Sequence, residues 1–387
     1  MTNVLDLFRG VGVIIDDALK SEKETAHDGI WEIKKSFEDK NIPLLTYFEL
    51  PDNNTKNFNS ISFLLLDWDL IGLEQGIDLP QAAIDDNITF IQQFNDICFV
   101  PIFIFSNESK ESIEEQLVMA DLYDDKKSNN IFIKSKSDFV NVDLFTVIEE
   151  WIKQTPSIYV LKEWELSLQQ GKNSLFWDFY HINPEWAKIL YETINKDGGD
   201  LSYEMSDILF ENLKTRTLPV NFDTSILSAS ATTTITPDEI KQVLEGQRFR
   251  KHNLNMIFTG DVFLKDGKYY INVRPQCDCI SRKEGETIDN VKIYLIEGKE
   301  IIANELTKKQ KSKLIDDSEI SKFVTFPING GKFIQFDFKE FAIVEFRDYK
   351  PYRIGTLLPP FITKLIQKYA AYMQRQGLPR IPEEAMK

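Results

Sequence analysis

Five polar positions in the first 140 residues have the types that phosphoryl chemistry needs. Asp16 and Asp17 are adjacent, and Asp67, Ser106 and Lys134 follow at wide intervals. Each position closes a short apolar run, at 11–15, 62–66, 100–105 and 130–133. A carboxylate such as Asp67 can attack a phosphoryl group and form an aspartyl phosphate. The group in transfer spreads negative charge over its oxygens, so electrostatic stabilisation dominates the barrier. Mg2+ supplies it, because hard cations take carboxylate and carbonyl oxygens; Asp16, Asp17 and Asp67 are the candidate ligands. Lys134 can pair with the phosphoryl group as a point charge. The Ser106 hydroxyl can bond a phosphoryl oxygen and move with it, which makes a switch.

Positions so far apart act together only if the fold gathers them. Residues 1 to about 150 alternate apolar runs (11–15, 43–48, 62–66, 100–105, 130–133) with helical segments (18–40, 86–96, 112–122, 140–153). That alternation predicts an α/β, doubly wound five-stranded parallel sheet covered on both faces. In such a sheet ligands bind at the carboxyl ends of the strands, where strand order reverses, and the five positions fall at strand ends. Residues 155–245 hold periodic segments at 159–170, 184–195 and 206–215 and are predicted to be helical. A turn is expected at Asp197-Gly198-Gly199-Asp200, and a helix start at Thr236-Pro237-Asp238-Glu239. From 255 to 346 short strands are expected at 256–258, 262–264, 268–273, 292–296, 301–303, 322–326 and 333–336, split by turns such as Asn329-Gly330-Gly331, as in a small barrel or strongly curved sheet. After Pro359-Pro360 an amphipathic helix runs from 361 to about 376. Leu365, Tyr369 and Tyr372 form its stripe, with Lys364, Lys368 and Arg375 nearby; it reads as a packing helix, able also to build a homodimer interface. The expected division is 1–154, a helical region over 155–245, and a β-rich, barrel-like part with its C-terminal helix over 246–387.

Bulk properties exclude several classes. A chain of 387 residues suggests two or three domains. Three cysteines are too few for a disulfide framework and favour a reducing cytoplasm. The opening MTNVLDLFRG lacks the pattern of a signal peptide, and no apolar stretch approaches ~18–20 residues, so no membrane association is expected. A formal net charge of -16 repels phosphate backbones, which argues against DNA as a partner. No G-x-x-x-x-G-K-[ST] or G-x-G-x-x-G string occurs. The three histidines are scattered, so neither a His-rich metal site nor a Ser/His/Asp triad is expected.

Val13-Ile14-Ile15-Asp16-Asp17, Leu64-Leu65-Leu66-Asp67-Trp68-Asp69-Leu70, Pro101-Ile102-Phe103-Ile104-Phe105-Ser106-Asn107 and Ile131-Phe132-Ile133-Lys134 resemble the motifs of the response-regulator receiver family. The resemblance implies a receiver (flavodoxin-like) domain in which Asp16 and Asp17 bind Mg2+. Asp67 then takes a phosphoryl group from a sensor histidine kinase, and Ser106 and Lys134 read it. Asp69 would lend its backbone carbonyl to the metal and tune hydrolysis, or cap the loop that follows. Ser135 stands where the family usually has proline, and 52–59 and 73–86 look like insertions.

Over the remaining two thirds the likeness is looser. It rests on Trp177-Asp178-Phe179-Tyr180, Asn183-Pro184-Glu185-Trp186, the Asp197–Asp200 turn, the barrel strings and residues 369–379. On these, the whole chain resembles the receiver-containing partner of Detocs-type anti-phage two-component systems. That implies a phosphate sink, working beside a kinase and an effector protein that carries its own receiver. Gly260-Asp261-Val262-Phe263, Lys268-Tyr269-Tyr270 and Gln276-Cys277-Asp278 loosely resemble toxin barrels of the growth-inhibiting ribonuclease type. Asp261, Arg274 and Asp278 could line a site there; the favoured reading is that the two acids fix turns and Arg274 pairs with an acid. Cys277 and Cys279 lack the second pair that structural zinc requires. Two alternatives stay open: a phosphorylation-controlled, RNase-like output enzyme, and an adaptor that is never phosphorylated.

Overall fold

The three apolar runs at 12–15, 63–66 and 102–105 are covered on both faces in the structure. The computed structural model describes residues 8–20, 29–51, 55–72, 79–139, 142–228, 235–281, 287–301, 323–328, 330, 332–374 and 385. Strands β1 (Gly12–Ile15), β3 (Phe63–Leu66) and β4 (Ile102–Ser106) are buried at each residue. With β2 (Leu44–Tyr47) and β5 (Ile131–Ser135) they form a five-stranded sheet in the order β2-β1-β3-β4-β5. Every pairing in it is parallel, as expected for a doubly wound α/β sheet.

Alternate residues serve opposite faces. Ile14, Phe63, Leu65, Phe103 and Phe105 pack with Phe37 of α1 (Ile30–Asp39) and Phe145 of α4 (Leu144–Gln154). Val13, Ile15, Leu64, Leu66 and Ile104 pack with Ile91 and Phe94 of α2 (Gln81–Asn95) and Leu117 of α3 (Lys110–Met119). Parts of the suspected insertions, 52–54 and 73–78, lie outside the described residues.

The predicted helical region is helical, with α5 (Pro156–Ile182), α6 (Trp186–Lys196), α7 (Leu201–Thr217), α8 (Thr224–Leu227) and α9 (Pro237–Gly246). It does not stand alone. The chain divides into two compact units, residues 1–182 with 210–234, and residues 183–209 with 235–387. Ile158 and Tyr159 of α5 join the phenylalanine-rich core of the parallel sheet. The Tyr159 hydroxyl accepts from Asp223 N at 2.6 Å, which ties residues 210–234 to the same unit.

The second unit holds seven strands: β6 (Phe249–Arg250), β7 (Asp261–Lys265), β8 (Lys268–Asn272), β9 (Lys292–Ile301), β10 (Phe323–Ile328), β11 (Lys332–Glu345) and β12 (Arg353–Leu357). Their order is β10-β11-β9-β8-β7-β12-β6, antiparallel throughout. The sheet curls into a near-closed barrel, and a bulge between Phe336 and Phe341 bends β11. One apolar cluster joins Phe249, Val262, Ile271, Ile296, Val324, Ile334 and Leu357 to Ile362 and Leu365 of α10 (Phe361–Met373). Helix α9 touches both edge strands, β6 and β10. Helix α10 is the expected packing helix: Tyr369 and Tyr372 meet Phe338 at 5.6 and 5.8 Å. Arg375, residues 302–303 and 322, and Asn329 and Gly331 of the expected turn lie outside the described residues. The strand expected at 256–258 does not form, because Phe258 N turns back onto the Asp261 carboxylate at 2.9 Å. Among the described residues no helix is long and apolar enough to cross a membrane.

Candidate functional site

Strand order reverses at β1, which lies between β2 and β3. The ladder runs one step beyond the strands there: Asp16 N donates to Tyr47 O at 3.0 Å and Asp67 N to Ile15 O at 2.9 Å. Asp16 and Asp67 are thereby held side by side, and both are buried. With the half-buried Asp17 they can bring one carboxylate oxygen each within 4.8 Å of the others. Asp16 Oδ1 accepts from Ala18 N at 2.9 Å, and Asp67 Oδ1 from Asp69 N at 3.2 Å.

The cation at this site is Lys136. Its Nζ lies 2.7 Å from Asp67 Oδ2 and 2.8 Å from Asp16 Oδ2, and the side chain is 3% exposed. Lys134 does not take this place, which corrects the sequence-based assignment. Strand β5 runs on through Ser135, paired with Ser106 of β4, so Lys134 is still within the strand. It lies at the surface, 3.4 Å from Asp138. The short 3-10 turn Lys136–Phe139, with Phe139 buried in the core, delivers Lys136 inward. The run Ile131-Phe132-Ile133-Lys134-Ser135-Lys136 offers two lysines, and the usable signal was register. A lysine beyond the level of Ser106 must follow residue 135.

Burial pushes the Asp67 carboxyl up to about 8; Lys136 opposes the shift and the neighbouring Asp16 adds to it. Burial pulls the Lys136 ammonium down, but Asp67 and Asp16 outweigh it and hold the group above the ordinary lysine value. The three carboxylates thus outnumber the ammonium in a low-dielectric site, where uncompensated charge is costly. A proton or a divalent cation relieves that excess. An all-oxygen donor set, open on the Asp17 side, suits Mg2+ in kind.

Ser106 ends β4 and is buried, its hydroxyl accepting from Glu108 N at 3.3 Å. It lies two residues past Ile104, which pairs with Leu66, so it stands at the same sheet edge as Asp67. The Asp69 side chain caps the following loop, accepting from Ile71 N at 3.0 Å and Gly72 N at 3.1 Å. Gly72 has φ 72, and a Cβ there would come 2.9 Å from Asp17 Oδ2, so glycine alone lets the loop pass so close to the acid. Trp68 fixes the acceptor loop to both helices of one face. Its indole N–H donates to Gln116 of α3 at 2.9 Å, and its carbonyl accepts from Asn87 of α2 at 2.7 Å.

In the second unit Asp261 is fully buried and fully engaged. Oδ2 accepts from Phe258 N and from Arg353 Nη1 at 3.2 Å, while Oδ1 accepts from the Thr356 hydroxyl. His252 Nε2 sits 2.6 Å from that hydroxyl. Asp261 therefore fixes a turn, with Arg353 as its cation. Arg274 donates to the Lys292 carbonyl and lies over the Tyr294 ring at 5.3 Å. Asp278 lies in the 3-10 turn Gln276–Asp278, within reach of the exposed Cys277; Cys279 is buried.

No protein-family model, curated protein or solved structure matches the chain.

Proposed function

We propose that the first unit is a receiver that accepts a phosphoryl group on Asp67, and that the protein is a cytoplasmic phosphate sink for a sensor histidine kinase in anti-phage signalling. The observation that supports this most is the meeting of Asp16, Asp17, Asp67 and Lys136 at the reversal point of a parallel sheet. Mg2+ bound by Asp16, Asp17, Asp67 and the Asp69 carbonyl would neutralise the phosphoryl oxygens. An Asp67 oxygen attacks the phosphorus of a phosphohistidine. The P–N bond breaks as the O–P bond forms, and the electron pair leaves on the imidazole nitrogen, which takes up a proton. Lys136 moves its hydrogen bond from the carboxylate to a phosphoryl oxygen, and the Ser106 hydroxyl donates to another. Water later attacks the acyl phosphate, releasing inorganic phosphate and restoring the carboxylate. The sink role is what the resemblance of the whole chain implies, and the sequence fits it: with no nucleotide-binding loop and no basic recognition helix, a loaded receiver can store, pass on or hydrolyse its phosphate.

The test is incubation of the whole protein with acetyl phosphate, followed by intact mass. A gain of one phosphoryl group that needs both Mg2+ and Asp67 is expected. No gain, with Asp67→Ala indistinguishable from wild type, would defeat the reading.

A further inference from the structure

Arginines inside the second unit normally place their N–H groups on oxygens. Arg353 donates to the carbonyls of Met256 and Leu254 as well as to Asp261. Arg248 does not follow this pattern. It lies between α9 and β6, is only 3% exposed, and among the described residues its side chain makes no hydrogen bond; its Nε is buried and unbonded, as is that of Arg274, whose Nη1 does reach a carbonyl. Glu245 is close enough to act on it electrostatically. Among the described residues the two form no ion pair, and Glu245 Oε2 accepts from Gly330 N at 2.7 Å. A guanidinium cannot shed its proton, and burying a charge without an acceptor is costly.

The surroundings suit an anion. The guanidinium carbon lies 5.2 Å from the centre of the Phe361 ring, which holds the planar group in one orientation. Phe361 is the first residue of α10, a helix of 13 residues whose cap residue, Pro360, contributes no side-chain acceptor. Phe361 N and Ile362 N already donate to Leu358 O, so the helix start adds its dipole, and not these two amides, to the potential around Arg248. We infer that Arg248, beside Phe361 at the start of α10, is a binding site for a small oxyanion, a phosphate or a carboxylate. The guanidinium fork matches two oxygens of either group.

The experiment is thermal unfolding of the full chain with a chelator present, at constant ionic strength, with chloride replaced stepwise by phosphate or by acetate. Wild type, Arg248→Met and Arg248→Lys are compared. A saturable rise in the wild-type midpoint with phosphate, acetate or both is expected, and the two arms identify the oxyanion. Arg248→Met should weaken the apparent affinity by about tenfold or more, with Arg248→Lys, which keeps charge but loses the fork, in between. Without added anion Arg248→Met should be at least as stable as wild type, because it removes a buried charge that has no hydrogen-bond acceptor. An unchanged wild-type midpoint, an equal rise in Arg248→Met, or an Arg248→Met protein clearly less stable than wild type without anion would each overturn the assignment.

Discussion

Asp16 and Asp67 share the ammonium of Lys136, across 2.8 and 2.7 Å, in a place nearly closed to water. Removing that ammonium leaves the Asp16 carboxylate buried without its cation. Lys136→Met should cost about 3 kcal/mol in urea unfolding with chelator present and should abolish phosphoryl uptake from acetyl phosphate. Lys134→Met, at the surface beside Asp138, should change neither measurably. The raised Asp67 pKa sets a second expectation. The folded protein keeps a proton on Asp67 up to about 8, whereas the unfolded chain releases it near 3.8. Folded protein therefore binds more protons between those values, and this group's contribution to stability is full below about 4 and is lost as pH rises toward 8. Wild type should lose stability relative to Asp67→Asn across that window, and saturating Mg2+ should remove the divergence. A parallel pH dependence of the two proteins would disprove it. The acids were readable from sequence because apolar runs stop abruptly at Asp16 and Asp67. The lysine was not, since in Lys134-Ser135-Lys136 only the pairing of Ser135 with Ser106 shows where β5 ends.

At the scale of elements, the parallel sheet was readable because, apart from Gly12 at the start of β1 and Ser106 at the end of β4, its central strands are Val, Ile, Leu and Phe. One position in it is set by close approach. A Cβ on Gly12 would come within 2.2 Å of Phe63 Cζ and 2.8 Å of Leu44 Cδ2. Gly12→Ala should therefore destabilise the first unit by about 1–3 kcal/mol through overpacking, read as a lowered urea midpoint with an unchanged slope. The barrel-like sheet was harder to read. Strand β6 has only two residues, too few for any periodic signal, and β12 contains Gly355 with φ 153, an unusual residue inside a strand. Strand β11 runs to Glu345, well past the expected 336, because its bulge lets pairing with β9 resume at Phe341.

At the scale of the molecule, each unit has its own buried cores. The division of the helical region between them could not be read from periodicity. An amphipathic pattern shows that a helix buries a face and says nothing of which sheet receives it. Separate cores give a further expectation. Asp261→Ala leaves Arg353 buried without its carboxylate and should cost about 3–5 kcal/mol, seen by circular dichroism as an early transition. Phosphoryl uptake on Asp67 should persist above that transition, as long as the first unit stays folded.

The near-closed sheet has a consequence for how the protein behaves in concentrated solution. Its terminal strands, β10 and β6, do not pair with each other, and α9 rests against both. That helix is capped in its first turn by reciprocal bonds between Thr236 and Glu239, and is tied in its last turn to Gly330 by Glu245. It works as a clasp: while it is seated, neither strand offers its free edge to a neighbouring molecule. Thr236→Ala loses about 1 kcal/mol of capping, which raises the unclasped fraction roughly fivefold. Warmed samples should then form cross-β aggregates at a rate that climbs with concentration, so the shelf life of a large acidic protein would depend on one three-turn helix.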